Sequence, residues 1–226
     1  YDEAMHFFSP SLASLHDPFL MKDMHKAVAR LSKAINTQEK ILIYGDYDVD
    51  GTSAVSLLYR YLSSHTSLLY TYIPDRYTEG YGISFQGIDY AASKGCSLII
   101  ALDCGIKAID KVQYATDKGI DFIIGDHHRP DVQVPDAVAI LNPQQADCPY
   151  PYKELCGCGI GFKLVQAYQQ HLSRPFEEIR PLLDLVAIAT AADIVAMNGE
   201  NRTLTYFGLE VINQQPSAGV SALLGE

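Results

Sequence analysis

Residues 40–55, KILIYGDYDVDGTSAV, set Asp46, Asp48 and Asp50 at alternate positions between an apolar run and Gly51. The apolar run, the glycine and the helix-compatible segment after it predict a strand, a tight turn and a helix. If the strand ends near Tyr44 and the helix begins near Thr52, three like charges crowd one turn. That arrangement costs free energy at neutral pH unless cations neutralise it. A solvated acidic turn, with Asp50 or Thr52 capping the helix, is the plainer expectation for any one of these residues. Three in alternation after a buried strand point instead to a hard divalent cation, Mg²⁺ or Mn²⁺, which selects oxygen ligands.

Outward from this stretch, strand and helix alternate. Residues 1–21 carry Pro10 and Pro18 and read as an irregular arm. Met24, Ala27, Val28, Leu31, Ala34 and Ile35 recur at helical spacing after Asp23. A strand is expected over 67–74, a helix from Ser84 to about Lys94 stopped by Gly95, and a strand SLIIALD that closes on Asp103. A helix over 107–118, a strand DFIIGD closing on Asp126, and a fifth strand over 137–143 follow. Residues 144–158 read as a loop stiffened by Pro149 and Pro151, and the chain from Gly159 onward reads as helical. The expected fold class is therefore α/β, a mainly parallel doubly wound sheet over 22–158 followed by a mostly helical part, 159–226, that completes the domain and leads into a connector.

In such sheets ligands sit outside the carboxyl ends of the strands. Three buried-looking strands each end in aspartate, so parallel pairing would gather Asp46 to Asp50, Asp103 and Asp126 at one edge. The fourth strand continues into GDHHRP and adds His127 and His128 to that edge. Adjacent side chains on extended backbone diverge, so one histidine is expected to bind metal and the other to face substrate. An imidazole among carboxylates favours Mn²⁺ over Ca²⁺ and leaves Mg²⁺ open. Asp184 and Asp193 interrupt the apolar stretch LLDLVAIATAADIVAM. Capping, a salt bridge and metal ligation are all open for Asp184, whereas the small residues Ala191 and Ala192 favour ligation at Asp193.

Bulk properties narrow the class further. The 226 residues carry a net charge of −10, from 17 basic and 27 acidic side chains. That balance argues against a polyanionic substrate, but part of the excess is aspartate assigned to one site where cations would cancel it. Apolar runs of about five residues fall far short of the ~20 needed to span a bilayer, and no signal segment opens the chain, so the expected location is the cytoplasm. Five cysteines without a CxxC pair suggest free thiols. The chain opens without Met and closes on SALLGE, which reads as part of a longer protein whose other domains supply basic surface.

DYDVDG, ALDCG, GDHH and TAADIV resemble, in order, the four signature motifs of the DHH phosphoesterase superfamily. YIPDRYTEGYGIS, LNPQQADCPYPYKELCGCGIGFKL and AADIVAMNGENRTLTYFGLEVIN narrow the resemblance to RecJ-type single-strand-specific exonucleases, over about Phe19 to Asn213. The resemblance implies a phosphodiesterase with two Mn²⁺ or Mg²⁺ ions that degrades single-stranded DNA from the 5′ end in recombination and repair. It implies Asp48 and Asp50 on one cation each, Asp103 between the two, His127 and Asp193 on the second, and Asp46 beside or on the first. His128 would touch the scissile phosphate and Asp126 would orient the histidines. The chain departs from many superfamily members at Tyr44, where they carry a histidine ligand.

Two cations can clamp the attacking and leaving oxygens and activate water, so no protein nucleophile is required. Single-strand binding calls for positive charge and aromatic platforms, for which Arg76, Tyr77, Tyr81, Arg129 and Lys163 are the candidates. The remaining domains of a longer chain, single-strand-binding protein and a helicase are candidate partners. A DHH enzyme acting on short oligoribonucleotides or cyclic dinucleotides, and a metal-free single-strand-binding scaffold, are the alternative readings.

Overall fold

The computed structural model describes residues 9–225. Of the expected N-terminal arm, 1–8 lie outside the described residues, and 9–21 form two short 3₁₀ turns, Leu12–Ser14 and Pro18–Leu20. Helix α1, Met24–Asn36, buries Met24, Ala27, Val28, Leu31 and Ala34, the spacing expected of a helix with one apolar face. It leads into strand β1, Lys40–Gly45, whose last five residues are buried.

Among the described residues, β1, β2 (Leu69–Tyr72), β3 (Cys96–Leu102), β4 (Asp121–Gly125) and β5 (Ala139–Leu141) form one sheet in the order β2-β1-β3-β4-β5. Every pairing is parallel. Side chains alternate between two cores. Ile41, Ile43, Leu98, Ile100, Leu102 and Ile123 face one, while Leu42, Tyr44, Ile99, Ala101, Phe122 and Ile124 face the other. A sheet buried on both faces explains why its strands read as unbroken apolar runs.

Helices α2 (Val49–Leu62), α5 (Gly157–His171) and α6 (Leu183–Ala192) join α1 in the first core. Helices α3 (Phe85–Lys94) and α4 (Ile109–Asp117) cover the second. Helix α7, Gly199–Gln214, packs on α6 so closely that a Cβ on Gly208 would collide with the Leu183 carbonyl oxygen. A short helix α8, Ala218–Leu224, follows.

The register positions the site. Gly45 lies beside Leu102, Leu102 beside Gly125, and Gly125 beside Leu141. The next residue on each strand, Asp46, Asp103, Asp126 and Asn142, therefore falls in one row across four carboxyl ends. The row is held by Asp103 N–H donating to the Gly125 carbonyl at 2.8 Å and Asp126 N–H donating to the Leu141 carbonyl at 3.0 Å. The chain runs outward from β1 to β2 and returns to β3 on the other side of β1, so a crevice opens between the ends of β1 and β3. Asp46 and Asp103 flank it.

Several boundaries differ from expectation. Helix α2 starts at Val49 rather than near Thr52, because Asp48, not Asp50 or Thr52, is its cap and accepts from Gly51 N–H at 2.9 Å. The second strand shrinks from 67–74 to Leu69–Tyr72, and the fifth from 137–143 to Ala139–Leu141. Helix α5 begins at Gly157 rather than Gly159, capped by Cys156 Sγ accepting from Gly159 N–H at 3.4 Å. The run from Pro175 is not one helix: 3₁₀ turns at Phe176–Glu178 and Arg180–Leu182 precede α6, as Pro181 lacks the N–H that an α-helical interior needs.

Candidate metal centre

The turn of DYDVDG is closed by contact. A Cβ on Gly51 would lie 2.5 Å from the backbone N and O of Asp46, and one on Gly45 would lie 2.6 Å from the Gly51 carbonyl oxygen. Only glycine lets the end of β1 and the first turn of α2 meet this closely. The three aspartates then take different environments. Asp46 is fully buried, and its Oδ1 accepts from Tyr47 N–H at 2.8 Å and Gly82 N–H at 3.4 Å. Asp48 caps α2 from an exposed position. Asp50, in the first turn, reaches across to α5 and accepts from Gly157 N–H at 2.6 Å and Cys158 N–H at 2.8 Å. It meets the unsatisfied amides of that helix N-terminus.

Asp103 follows β3 with φ of 61°, a left-handed conformation that a non-glycine residue adopts at a cost. Its neighbour on α5 must be glycine as well, since a Cβ on Gly157 would lie 2.5 Å from Asp103 Cβ. From the end of β4, His127 places Nε2 at 3.2 Å from Asp103 Oδ1, 3.6 Å from Asp193 Oδ2 and 3.9 Å from Asp50 Oδ2. Asp193 arrives from the C-terminal end of α6. Four segments distant in sequence thus converge on one point, and two groups of donors emerge: Asp50, His127 and Asp193, and Asp103, His127 and His128.

Several atoms of this cluster lack a hydrogen-bond partner. Both carboxylate oxygens of Asp103, Oδ2 of Asp46, Oδ2 of Asp193 and Nε2 of His127 are buried without a hydrogen-bond partner. Buried polar atoms of native proteins are nearly always satisfied, and unpaired buried carboxylates are costly. Burial, then the charges of Asp50, Asp48 and Asp126, pushes the Asp103 carboxyl up to about 11. Burial also raises Asp46 and Asp193. Oxygen-rich donors with one imidazole, orphaned and mutually repelling, fit hard divalent cations.

His128 is held differently from His127. Its Nδ1 lies 2.7 Å from Asp126 Oδ1, which also accepts from the His128 N–H at 3.0 Å; Asp126 Oδ2 accepts from Ile106 N–H at 2.9 Å. Burial would raise Asp126, but the hydrogen bonds and charge of His128 outweigh it and hold the carboxyl below the usual range. The hydrogen bond to Asp126 in turn raises His128. An ionised Asp126 makes Nδ1 the donor and leaves Nε2 facing outward, 3.0 Å from the Tyr81 hydroxyl. Asn142, which was not singled out in the sequence, donates from Nδ2 to the His128 carbonyl at 2.8 Å and fixes this loop.

The substrate candidates divide. Glu79 staples the loop 75–84 internally: it accepts from Asp75 N–H and the Tyr72 hydroxyl, both at 2.9 Å. This presents Arg76 and Tyr77 outward; Tyr77 is 93% exposed, and the Arg76 guanidinium lies 5.3 Å from the ring centre of Tyr47. Tyr47, also missed in the sequence, stacks edge-on with Tyr81 at 6.0 Å. Arg129 is exposed beside His128.

Lys163 does not belong with them. It is fully buried, donates to the His16 carbonyl at 2.7 Å and to Glu200 Oε1 at 2.9 Å, and ties the N-terminal arm to α7. No strand can reach it. Tyr44 is likewise no ligand, since its phenol is buried, donates to the Gly82 carbonyl at 2.9 Å and accepts from Ser84 N–H at 3.0 Å. Asp184 is structural, accepting from Leu185 N–H at 2.7 Å and Ser217 N–H at 2.8 Å. The five cysteines are free and buried.

Known proteins share this sequence and fold. Residues 40–190 match the model of the DHH family, N-terminal domain. The chain is 42% identical over 223 residues to the single-stranded-DNA-specific exonuclease RecJ of Bacillus subtilis, covering 99% of this chain and 28% of that protein. It is 35% identical over 215 residues to RecJ of Escherichia coli, covering 90% of this chain and 37% of that protein. Its structure is similar to exonuclease RecJ bound to manganese, with a TM-score of 0.84 and 29% identity over 95% of this chain and 53% of that one. RecJ of Thermus thermophilus in complex with Mn²⁺ gives 0.82 and 26% identity over 97% of this chain and 31% of that one. The chain spans between 28% and 39% of the length of the RecJ relatives it matches. The match runs from the start of β1 into α6, the span that delivers Asp46, Asp103, Asp126 and His127 to one sheet edge, and the chain belongs to the DHH family.

Proposed function

We propose that this chain is the catalytic core of a divalent-metal-dependent exonuclease that hydrolyses single-stranded DNA from the 5′ end. The observation that carries this is the set of buried, unpartnered donor atoms on Asp46, Asp103, His127 and Asp193 at the crevice between β1 and β3. Asp48 and Asp50 would each hold one of two Mn²⁺ or Mg²⁺ ions, Asp103 would serve both, and His127 and Asp193 would complete the second, with Asp46 supporting the first. When bound, the cations supply the Lewis acidity that activates water and neutralises charge on the phosphate.

The chain's own residues do the rest. The Asp50 carboxylate is fixed by two α5 amides, so it need not reorganise when substrate arrives. Asp126 holds Nδ1 of His128 and favours the imidazolium, which presents an N–H at Nε2 to a phosphate oxygen. The Tyr81 hydroxyl is kept neutral, because burial and the charges of Asp103, Asp46, Asp48 and Asp126 push it well up. It occupies Nε2 until substrate displaces it. Arg76, Tyr77 and Tyr47 offer the charge and aromatic faces on which bases of a single strand stack. A metal-free scaffold gains no support, since every motif acid is present and Asp46, Asp103 and Asp193 keep buried oxygens without a partner.

The names of the relatives support the substrate, and the resemblance of the motifs supports the polarity. We assign the work to recombination and repair in the cytoplasm, with the other domains of a longer chain, single-strand-binding protein and a helicase as partners. The test compares 5′-labelled and 3′-labelled single strands, duplex and short RNA, each with Mn²⁺, Mg²⁺ or chelator. Mononucleotide release from the 5′ end of single strands only, abolished by chelator, is expected. Preferential hydrolysis of duplex or short RNA, or hydrolysis in chelator, would refute the proposal.

A further inference from the structure

Beside the donor cluster lies a cavity of ≈ 540 Å³ lined in part by Asp126 and His128. Its volume falls within the range of small-molecule sites. One wall is apolar, made by the Tyr81 ring, Ile83 and Ile106, and the rim carries Lys107, Lys111 and Arg129. Three cations thus gather at one mouth of a chain whose net charge is −10.

Lys107 lies 3.6 Å from Asp131, with both side chains more than half exposed, and an exposed pair of this kind contributes little and is easily exchanged for a stronger anion. Lys111 is partly buried, donates to the exposed Asp110 at 3.1 Å and lies 5.4 Å from the ring centre of Phe85. Among the described residues, Arg129 has no ion-pair partner. Ala108 also lines the cavity and gives α4 no side-chain cap, so amides of that helix start add to the positive field. The remaining acid in the cavity, Asp126, is buried and committed to His128 and Ile106.

An apolar slot for a flat ring, a rim of cations for a dianion and a shared histidine describe a nucleotide. We propose that this recess is a subsite for one nucleoside monophosphate unit of the strand next to the scissile phosphate, its base against Ile83, Ile106 and Tyr81 and its phosphate on Lys107, Lys111 and Arg129. The assignment rests on the phosphodiesterase reading above and adds to it a place where the strand is gripped without the cations.

The test binds deoxycytidine monophosphate, with deoxycytidine as control, to the wild type and to the double variant Lys107→Glu/Lys111→Glu, in chelator so that no cation can hold the phosphate. Wild type should bind the monophosphate at least tenfold more tightly than the nucleoside, and the double variant should lose at least tenfold. With Mn²⁺, the variant should show KM for single strands raised by a similar factor, kcat within threefold, and unchanged Mn²⁺ uptake and melting temperature. Absence of monophosphate binding by the wild type, or equal binding by the variant, would overturn the subsite. If monophosphate binds as described but no strand is hydrolysed with Mn²⁺, the recess stands and the catalytic reading fails.

Discussion

Gly157→Ala tests how the site is assembled, because one methyl group sits between two of its parts. The new Cβ would lie 2.5 Å from Asp103 Cβ, 2.7 Å from Asp103 Cα and 2.8 Å from Asp103 Oδ1. Relaxed carbon contacts are ~3.5 Å or more, so the start of α5 must retreat by roughly 1 Å. Asp103 cannot yield in its place, since its N–H is bonded to the β4 carbonyl of Gly125.

A retreat of that size stretches the bonds from Gly157 and Cys158 to Asp50, now 2.6 and 2.8 Å, beyond hydrogen-bonding range. Two hydrogen bonds to a charged group at about 1.5–3 kcal/mol each, offset by at most ~1 kcal/mol of helix preference for alanine, leave a net loss of roughly 2–5 kcal/mol. For a chain of this length that is a fall in melting temperature of roughly 4–20 °C. Gly159→Ala is the control: its nearest neighbour would be Leu155 Cδ2 at an ordinary 3.5 Å, and its melting should move by less than ~3 °C. Calorimetric melting with chelator and with Mn²⁺ reads both, and Gly157→Ala should also lose most of the Mn²⁺-induced stabilisation. Melting and Mn²⁺ affinity like those of the wild type in Gly157→Ala would refute the reasoning.

Three further outcomes follow from the same structure. His128→Ala should keep Mn²⁺ uptake yet lose at least ~100-fold in kcat, the usual scale for a positioned proton donor, and near-normal turnover would remove His128 from the reaction. Tyr77→Ala, at a 93% exposed position, should leave melting unchanged while weakening single-strand binding by ~1–3 kcal/mol, read by fluorescence anisotropy. Lys163→Met should leave the buried Glu200 without its cationic partner, keeping only the His16 N–H and Tyr150 hydroxyl as donors, and cost about 3–5 kcal/mol in stability, with KM of the folded fraction unchanged. A raised KM with normal melting would instead return Lys163 to the substrate path.

The sheet was legible because strands buried on both faces appear as short apolar runs, and each run carried its own terminal aspartate. Parallel pairing alone then gathers Asp46, Asp103 and Asp126, and the observed register sets them in one row. Glycines and caps were legible where the signal is local, as at Ser84 and Gly95, which bracket α3 as expected. The start of α2 was not, because Asp48 and Asp50 have equal chemical claims to the cap and only the contact of Asp50 with α5 separates them.

Lys163 misled because a lysine after a glycine-rich segment reads as solvent-facing, whereas α5 is buried continuously from Gly157 to Gln169 and the lysine's partner lies 37 residues away. Asn142 and Tyr47 carried no signal of their own. Asn142 matters because the fifth strand ends level with the third and fourth, and Tyr47 because it meets Arg76 and Tyr81 from another loop. Such roles arise from tertiary contact and leave no periodicity or spacing behind.

The central claim is that the orphaned donors at the crevice between β1 and β3 are a site for divalent cations. Calorimetric titration of the metal-free protein with Mn²⁺ tests it most directly. Two ions per chain in the wild type, and loss of at least one of them in Asp103→Asn with the fold intact, is the predicted result. No Mn²⁺ uptake by the wild type, or identical titrations for the two proteins, would contradict it.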